Sequence, residues 1–508
     1  MAAAPSLMTP ADSNNLKLVE NTHPPNWINP EPQARYNLVV IGAGTAGLVT
    51  AAGAAGLGAK VALVERHLMG GDCLNFGCVP SKALMRTART VADIREASNM
   101  GVHTAPNPNV DFAAVMTRMR RLRAELSEHD SAARFRTLGV DVFLGEARFV
   151  ANDTVAVDGK TLRFSRAVIA TGARAAALPI PGLADARFLT NETVFSLTAM
   201  PPRLAVIGGG PLGCELAQAF ARFGAEVTVL EVMPQILPRE DPDAAARLAA
   251  ALARDGVAVL TACRITGIER RDGAKAIHYE RDRASGIVTV DEILLGVGRA
   301  PNVEGLGLDA AGVRGDPQRG IEVNDHLQTS NPHIYAAGDV ATAYRFTHMA
   351  DAMARIVIRN ALFFGRARAS LLTIPWCTYT DPEIAHVGLD PATAAARGIK
   401  IRSFVQEMSG VDRALLDGET DGFVKVHIAA DSDRIVGATI VARHASEMIG
   451  ELTLALSARI GLGALADVIH PYPTQAEAIR KIADAYNRTR LTPRVAWLFG
   501  HLMAWRRR

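Results

Sequence analysis

A chain of 508 residues is long enough for about three domains. With 49% hydrophobic and 21% charged residues it has ordinary globular composition, which excludes a disordered chain, and five cysteines over this length exclude a disulfide scaffold. Lys+Arg 55 against Asp+Glu 52 leaves a net charge of +3 with no long basic run, so no nucleic-acid partner is expected.

Residues 1–34 are polar and proline-bearing (His23-Pro24-Pro25, Pro30-Glu31-Pro32) and lack the pattern of a signal peptide. They read as an N-terminal extension of a soluble, cytoplasmic protein whose thiols stay reduced. Tyr36 to Ala59 is uncharged and long enough to span a bilayer, but it carries six glycines and opens with a short β-branched run. A strand, a tight turn at Gly42, Gly44 and Gly47, and a helix fit it better, so no integral membrane segment is expected. A second strand, Lys60 to Glu65, ends in an acid about twenty residues after the turn. Such glycines let backbone approach a pyrophosphate at a helix N-terminus, and Glu65 is placed to bind ribose hydroxyls.

Next comes Gly70-Gly-Asp-Cys-Leu-Asn-Phe-Gly-Cys-Val-Pro-Ser-Lys82, in which four residues separate Cys73 from Cys78 and a helical pattern follows at once. Cys78 therefore sits near a helix N-terminus, where the dipole favours a thiolate. No second Cys/His pair has a suitable spacing, so no resident metal site is expected. Val168-Ile-Ala-Thr-Gly-Ala173 reads as a buried strand and Pro179-Ile-Pro-Gly182 as a crossover turn. The glycine-turn unit then recurs at Leu204-Ala-Val-Ile-Gly-Gly-Gly-Pro-Leu-Gly213 (Gly208, Gly210, Gly213), with a second strand from Glu226 to Glu231. Two dinucleotide folds in one chain imply two dinucleotides, a bound flavin and a mobile nicotinamide. Leu294-Leu-Gly-Val-Gly-Arg-Ala-Pro-Asn302 follows, and Ile334-Tyr-Ala-Ala-Gly-Asp-Val340 reads as another buried strand. Its natural place is back in the first sheet, which makes the second domain an insertion in the first.

From about residue 371 the texture changes. Gly422-Phe-Val-Lys-Val-His-Ile428 and Arg434-Ile-Val-Gly-Ala-Thr-Ile440 alternate as antiparallel strands, with helical patterns around 446–460 and 475–488. The tail Val495-Ala-Trp-Leu-Phe-Gly-His-Leu-Met-Ala-Trp505 ends in Arg506-Arg-Arg508. Packing against its own fold is the favoured reading, ahead of a membrane interface or a partner.

These motifs, in this order from Tyr36 to Tyr486, resemble the flavin-dependent class I pyridine nucleotide–disulfide oxidoreductases, which include dihydrolipoamide dehydrogenase, glutathione reductase and mercuric reductase. The resemblance implies an α/β fold with two Rossmann-like domains, the second inserted in the first, and a C-terminal α+β dimerisation domain. It assigns 35–185 and 300–370 to FAD, 186–299 to NAD(P)H, 371–490 to the homodimer interface and 491–508 to a basic aromatic tail. In the family the first cysteine attacks the substrate and the second faces the flavin, here Cys73 and Cys78. Lys82 matches the lysine near the flavin, where it stabilises negative charge, and Glu215 matches its ion-pair partner. Asp339 matches the acid on the flavin's ribityl chain. Gly71, Thr171, Gly172, Gly298, Arg299 and Gly338 fall in motifs that border the cofactors.

The sequence departs from the family where substrate is decided. Dihydrolipoamide dehydrogenase and glutathione reductase carry a histidine, donated by the partner subunit, that serves the dithiol as acid–base. Here the segment is His470-Pro-Tyr-Pro-Thr-Gln-Ala-Glu477, and aligning Pro473, Thr474 and Glu477 puts Tyr472 in that place. A tyrosine is a poor base at neutral pH, and His470 is two residues off register. A tyrosine there resembles mercuric reductase, yet no cysteine follows Cys377 to deliver a metal. A soft ion would meet only Cys73 and Cys78, while Cys214, Cys263 and Cys377 are expected to be buried packing residues. Glu231 hydrogen-bonds a free 2′-hydroxyl and repels a 2′-phosphate, so NADH is preferred, with NADPH possible. The expected function is an NAD(P)H oxidoreductase passing two electrons through FAD and Cys73–Cys78 to a disulfide or soft metal ion. The alternatives are dihydrolipoamide dehydrogenase, and a flavin transhydrogenase or diaphorase that does not use the thiols.

Overall fold

The computed structural model describes residues 7–103, 105, 108–176 and 178–507. Its first helix, α1 (Ser13–Thr22), is capped by Asp12, whose carboxylate accepts from the Asn15 amide at 2.8 Å. Strand β1 (Tyr36–Ile41) follows, then α2 (Thr45–Gly56) and β2 (Val61–Glu65). The stretch with the length of a membrane span is therefore a strand and a helix, and among the described residues no helix is long and apolar enough to cross a membrane. The Gly70–Lys82 motif divides into α3 (Gly71–Asn75) and the start of α4 (Cys78–Glu96), followed by α5 (Phe112–Leu126) and β3 (Val140–Leu144).

A short antiparallel meander, β4 (Arg148–Ala151) and β5 (Thr154–Val157), leads into the long β6 (Lys160–Ile169). The apolar runs of β3, β2, β1 and β6 lie side by side and parallel, with Val40 opposite both Leu63 and Val168. Runs buried on both faces are what a parallel sheet covered by helices requires.

The pattern then repeats. Strand β7 (Arg203–Ile207), α6 (Pro211–Phe223), β8 (Glu226–Leu230), β9 (Ala258–Leu260) and β10 (Glu292–Leu295) build a second parallel sheet in the order β9-β8-β7-β10. Residues 264–290 form a separate three-stranded antiparallel sheet. Strand β11 (Ile334–Ala336) then returns to the first sheet, pairing parallel with β6 at Tyr335↔Val168, and α8 (Thr347–Leu362) follows. The second sheet is thus inserted in the first.

The chain divides into two compact units, through Val232 with Gly256–Leu372, and Met233–Asp255 with Thr373 onward. In the second unit, β12 (Pro375–Thr378), β13 (Glu383–Gly388), β14 (Ile401–Glu407), β15 (Phe423–Ala429) and β16 (Ile435–Ala442) make an antiparallel sheet ordered β12-β13-β16-β15-β14. Helices α9 (Ala445–Ser457) and α10 (Glu477–Thr489) contribute to its core, which includes Val424, Ile440, Leu452 and Ile482. Helix α7 (Pro242–Arg254) lies within the 186–299 span of the sequence reading, yet it groups with this unit. Lys425 bonds Asp241 at 2.8 Å and Asp243 at 2.6 Å, and Arg247 and Arg254 both pair with Asp421.

Two expectations need correction. The tail forms helix α11 (Pro493–Arg506), but none of its residues is buried, so it adds nothing to the core of its own fold. Cys214 and Cys263 are buried, whereas Cys377 on edge strand β12 is only half-buried beside the second core.

Candidate active site

Each glycine turn sits at the carboxyl end of the first strand of its sheet, where the strand order reverses. Gly42 has φ +101°, and a Cβ there would fall on the Ala170 carbonyl oxygen of the neighbouring β6 connection. A Cβ on Gly71 would lie 2.6 Å from the Gly44 Cα, so the cysteine-bearing segment crosses the turn backbone to backbone. Glu65 ties the turn down, accepting from the Ala43 amide at 2.7 Å and the His67 amide at 2.8 Å. Glu231 does the same in the second sheet, accepting from the Gly209 amide at 2.7 Å. Both acids therefore hold their own loop.

The helices that follow begin at Gly44 and Gly210, and neither N-terminus has a side-chain cap, in contrast to α1, α5 and α11 with their Asp12, Asp111 and Thr492 caps. Bare backbone N–H groups, a positive helix end and glycines pressed to contact suit a pyrophosphate, so both sites fit a dinucleotide. Gly47 and Gly213 bring each helix against its own turn, since a Cβ on either would strike the Gly42 or Gly208 carbonyl.

Around the first site, the Thr171 hydroxyl donates to the Asn302 carbonyl at 2.7 Å, and the Gly172 carbonyl accepts from the Asn302 amide at 3.0 Å. The Gly298 carbonyl accepts from the Ala176 amide, so the 168–173 and 294–302 motifs are laced together. Asp339 follows Gly338, and its carboxyl is pushed above the usual range by burial, with Arg299 at 3.7 Å opposing the shift. Arg299 also lies 3.3 Å from Asp72, beside Cys73.

Cys73 lies in the single turn of α3 and Cys78 is the first residue of α4. Their sulfurs are not joined, and the two thiols share a hydrogen bond. That bond, donated by Cys73, is the main reason the Cys78 thiol is lowered to about 6, helped by Thr347 and the Lys82 charge against the opposing effects of burial and Glu215. The Thr347 hydroxyl, at the start of α8, is 3.4 Å from the Cys78 sulfur. Cys73 moves the other way: donating that bond, being buried and facing Cys78 all raise its thiol. The pair is therefore split into a ready thiolate and a retained proton. One turn along α4, the Lys82 ammonium pairs with both Glu215 oxygens, at 2.9 and 3.1 Å, and the Glu215 side chain on α6 is buried.

The loop carrying the cysteines is held by residues that sequence reasoning missed. Asn75 donates to the Met69 and Gly71 carbonyls, and its own carbonyl accepts from Arg123 at 2.7 Å. Arg123 is fully buried and also donates to the Asn15 side chain of α1 at 2.7 Å. Leu18 and Met8 pack against Leu68 and Leu74, with Phe76 and Val79 at the edge, so the N-terminal segment is part of the wall behind Cys73. Asp72 accepts from Asn191 at 2.8 Å. Long-range partners of this kind leave no local pattern in the sequence.

In the second unit the three remaining candidates separate. The His470 side chain is buried, with Nε2 3.0 Å from Glu451 and Nδ1 3.2 Å from the Val468 carbonyl. Tyr472 is exposed; its hydroxyl donates to Asp412 at 2.9 Å, and that bond raises its pKa. Glu477 is buried and accepts from Arg480 at 2.6 Å.

Two nucleotide sites and a thiol pair beside a lysine paired to a buried glutamate define a class, and the comparisons agree. The chain belongs to the pyridine nucleotide-disulphide oxidoreductase family: residues 36–354 match its main model and residues 374–483 its dimerisation domain. The family is FAD-dependent and uses NAD(P)H. The chain is 32% identical over 471 residues to the mercuric reductase of Bacillus cereus, spanning 93% of this chain and 74% of that one. It is 36% identical over 466 residues to the dihydrolipoyl dehydrogenase of Thermus scotoductus, spanning 89% and 98%. Among solved structures, the Cu(II) complex of the HOCl-induced flavoprotein disulfide reductase RclA from Escherichia coli superposes with a TM-score of 0.79 at 27% identity, covering 88% of this chain and 99% of that one.

Proposed function

We propose that the protein is a cytoplasmic homodimeric NADH oxidoreductase that passes two electrons through Cys73 and Cys78 to a disulfide or a soft metal ion. The carrying observation is the thiol pair at the start of α4, with Cys78 3.4 Å from the Thr347 hydroxyl and one turn from the Lys82–Glu215 pair, a setting that lowers the Cys78 thiol and raises that of Cys73. Bound FAD would supply the two-electron exchange between the nicotinamide and the cysteine pair. Gly42, Gly44, Gly47, Glu65, Gly71, Thr171, Gly172, Gly338 and Asp339 would hold it. Gly208, Gly210, Gly213 and Glu231 would hold the nicotinamide dinucleotide, and Gly298 and Arg299 border the sites.

The residues of the chain then divide the work. Cys78 keeps its negative charge near the positive Lys82, and Glu215 keeps that ammonium in place. Cys73, once it loses its proton to a base, attacks one sulfur of an acceptor disulfide and expels the other as a thiolate. Cys78 then attacks the Cys73 sulfur, closes the intramolecular disulfide and releases the second thiolate, so two cysteine thiols are oxidised and one acceptor disulfide is reduced. A soft ion would be bound by the same thiolates.

Relatives named mercuric reductase and dihydrolipoyl dehydrogenase stand at similar identity, so the choice of acceptor rests on the site. Tyr472, exposed and with a raised pKa, stays protonated at neutral pH and cannot take up a proton, while His470 is engaged by Glu451. This favours acceptors that need little proton transfer over a dihydrolipoyl substrate. NADH is favoured over NADPH by the negative charge of Glu231.

Anaerobic titration with NADH tests the proposal. A long-wavelength charge-transfer band at two electrons is expected, lost in Cys78→Ser, with turnover on disulfides, Hg²⁺ or Cu²⁺ abolished by Cys73→Ser. Bleaching of the flavin without that band would put the thiols outside the electron path and leave a diaphorase.

A further inference from the structure

Helix α11 stands apart from every other long helix of the protein. It is N-capped by Thr492 and carries Pro493 at its first position, so its helical state is written locally. Yet none of its residues is buried: Trp497 is 64% exposed, Leu498 57% and Trp505 70%. Its contact with the rest of the protein is confined to a shallow cavity that Val495 and Phe499 share with Asp433, Gly463 and Asn487, and a 14-residue helix with so little tertiary support is marginal in water and gains stability from a surface.

The chemistry of that surface can be read from the helix. At 100° per residue, Val495, Leu498, Phe499, Leu502, Met503 and Trp505 fall within one broad arc that only Arg506, at the helix end, interrupts, while Pro493, Ala496, Trp497, Gly500 and Ala504 lie on the other side. The charges are all of one sign: Arg494 at the start and Arg506-Arg507-Arg508 at the end, with no Asp or Glu from Leu491 onward. A second copy of the same segment would bring like charges together. A cationic helix with an apolar arc and a tryptophan near each end instead complements an anionic lipid surface. Its length of about 21 Å is too short to cross a bilayer but suits lying in the interface plane.

We propose that α11 is an interfacial helix that docks the enzyme reversibly on anionic lipid, with the Val495–Trp505 arc in the headgroup boundary and the terminal arginines on the lipid phosphates. Such binding is modest and salt-sensitive, because a single short helix supplies all of it.

The test uses the full-length holoenzyme and sedimentation with phosphatidylcholine vesicles, with or without about one third phosphatidylglycerol. Binding is expected to the anionic vesicles only, to weaken as salt rises, and to bring a blue shift in tryptophan emission, since two of the four tryptophans lie on α11. Leu498→Glu/Leu502→Glu is expected to lower vesicle binding about tenfold or more while flavin content and NADH turnover stay unchanged. No association with either vesicle overturns the proposal, as does equal binding to both. A change in sedimentation coefficient of the lipid-free Leu498→Glu/Leu502→Glu variant also overturns it, because a second copy would then cover the face.

Discussion

Replacing Cys73 by alanine removes the largest influence on the Cys78 thiol, which is lowered from 9.0 to about 6 in the native pair. A hydrogen bond to a charged acceptor is worth about 1.5–3 kcal/mol, or roughly one to two pH units at 1.36 kcal/mol per unit. The midpoint of the Cys73→Ala variant is therefore expected at roughly 7 to 8. The sign follows directly: a depressed thiol holds its charge above its pKa and loses it as pH falls through it. At pH 7 the thiolate share should drop from roughly nine-tenths to half or less. Ultraviolet thiolate absorbance against pH measures this, with the iodoacetamide rate as a second readout and a Cys73→Ala/Cys78→Ala double variant as the blank. Cys214 and Cys263 are buried and contribute only background. Lys82→Met, which removes a lesser influence, should shift the midpoint less. An unchanged midpoint in Cys73→Ala, or a larger shift in Lys82→Met, would refute the reasoning.

The other predictions concern support and specificity. Leu18→Ala truncates a fully buried side chain beside Leu74, and guanidinium denaturation should show a loss of about 3 kcal/mol; a loss near zero would mean that α1 is not core. Lys82→Met removes the ammonium from the buried Glu215 carboxylate, and calorimetry should register about 2–4 kcal/mol, part of it restored in Lys82→Met/Glu215→Leu. A double variant no more stable than the single one would count against a buried-charge penalty. Glu231→Gln keeps an acceptor for the Gly209 amide but removes the charge, so the NADH-to-NADPH ratio of kcat/KM should narrow roughly fivefold. An unchanged ratio would remove Glu231 from coenzyme choice.

The fold was legible because its strongest determinants are local. A β-branched run, three glycines and an acid at fixed spacing leave few ways to build the turn, and the same grammar appears twice. The return of Ile334–Ala336 to the first sheet was legible because a run buried on both faces needs a parallel sheet to enter. The cysteines and the Lys82–Glu215 couple were found through their motifs. By contrast, Asn15 and Arg123 meet across 108 positions, and a buried arginine on an amphipathic helix looks like any surface arginine. Residues 1–34 read as an extension because their few apolar residues, Leu18 and Met8 among them, are outnumbered by polar ones and prolines, although both of these are buried. Thr347 was missed because a threonine at a helix start ordinarily signals only a cap. The tail was misjudged because its hydrophobicity says that it wants a surface without saying whose.

The return of β11 to the first sheet also dictates a timetable for synthesis. The β6 strand emerges complete at Ile169, but its partner ends at Ala336, after the whole second sheet. At 5–20 residues per second, roughly ten to thirty seconds pass during which Ala167-Val168-Ile169 has β1 on one side and no neighbour on the other. Those three residues are fully buried in the finished protein, so a nascent chain presents a sticky, half-satisfied strand to its surroundings for that interval. Ribosome stalling before Ala336 would leave a fragment with two competent glycine turns and an open sheet, a substrate for chaperones rather than for flavin.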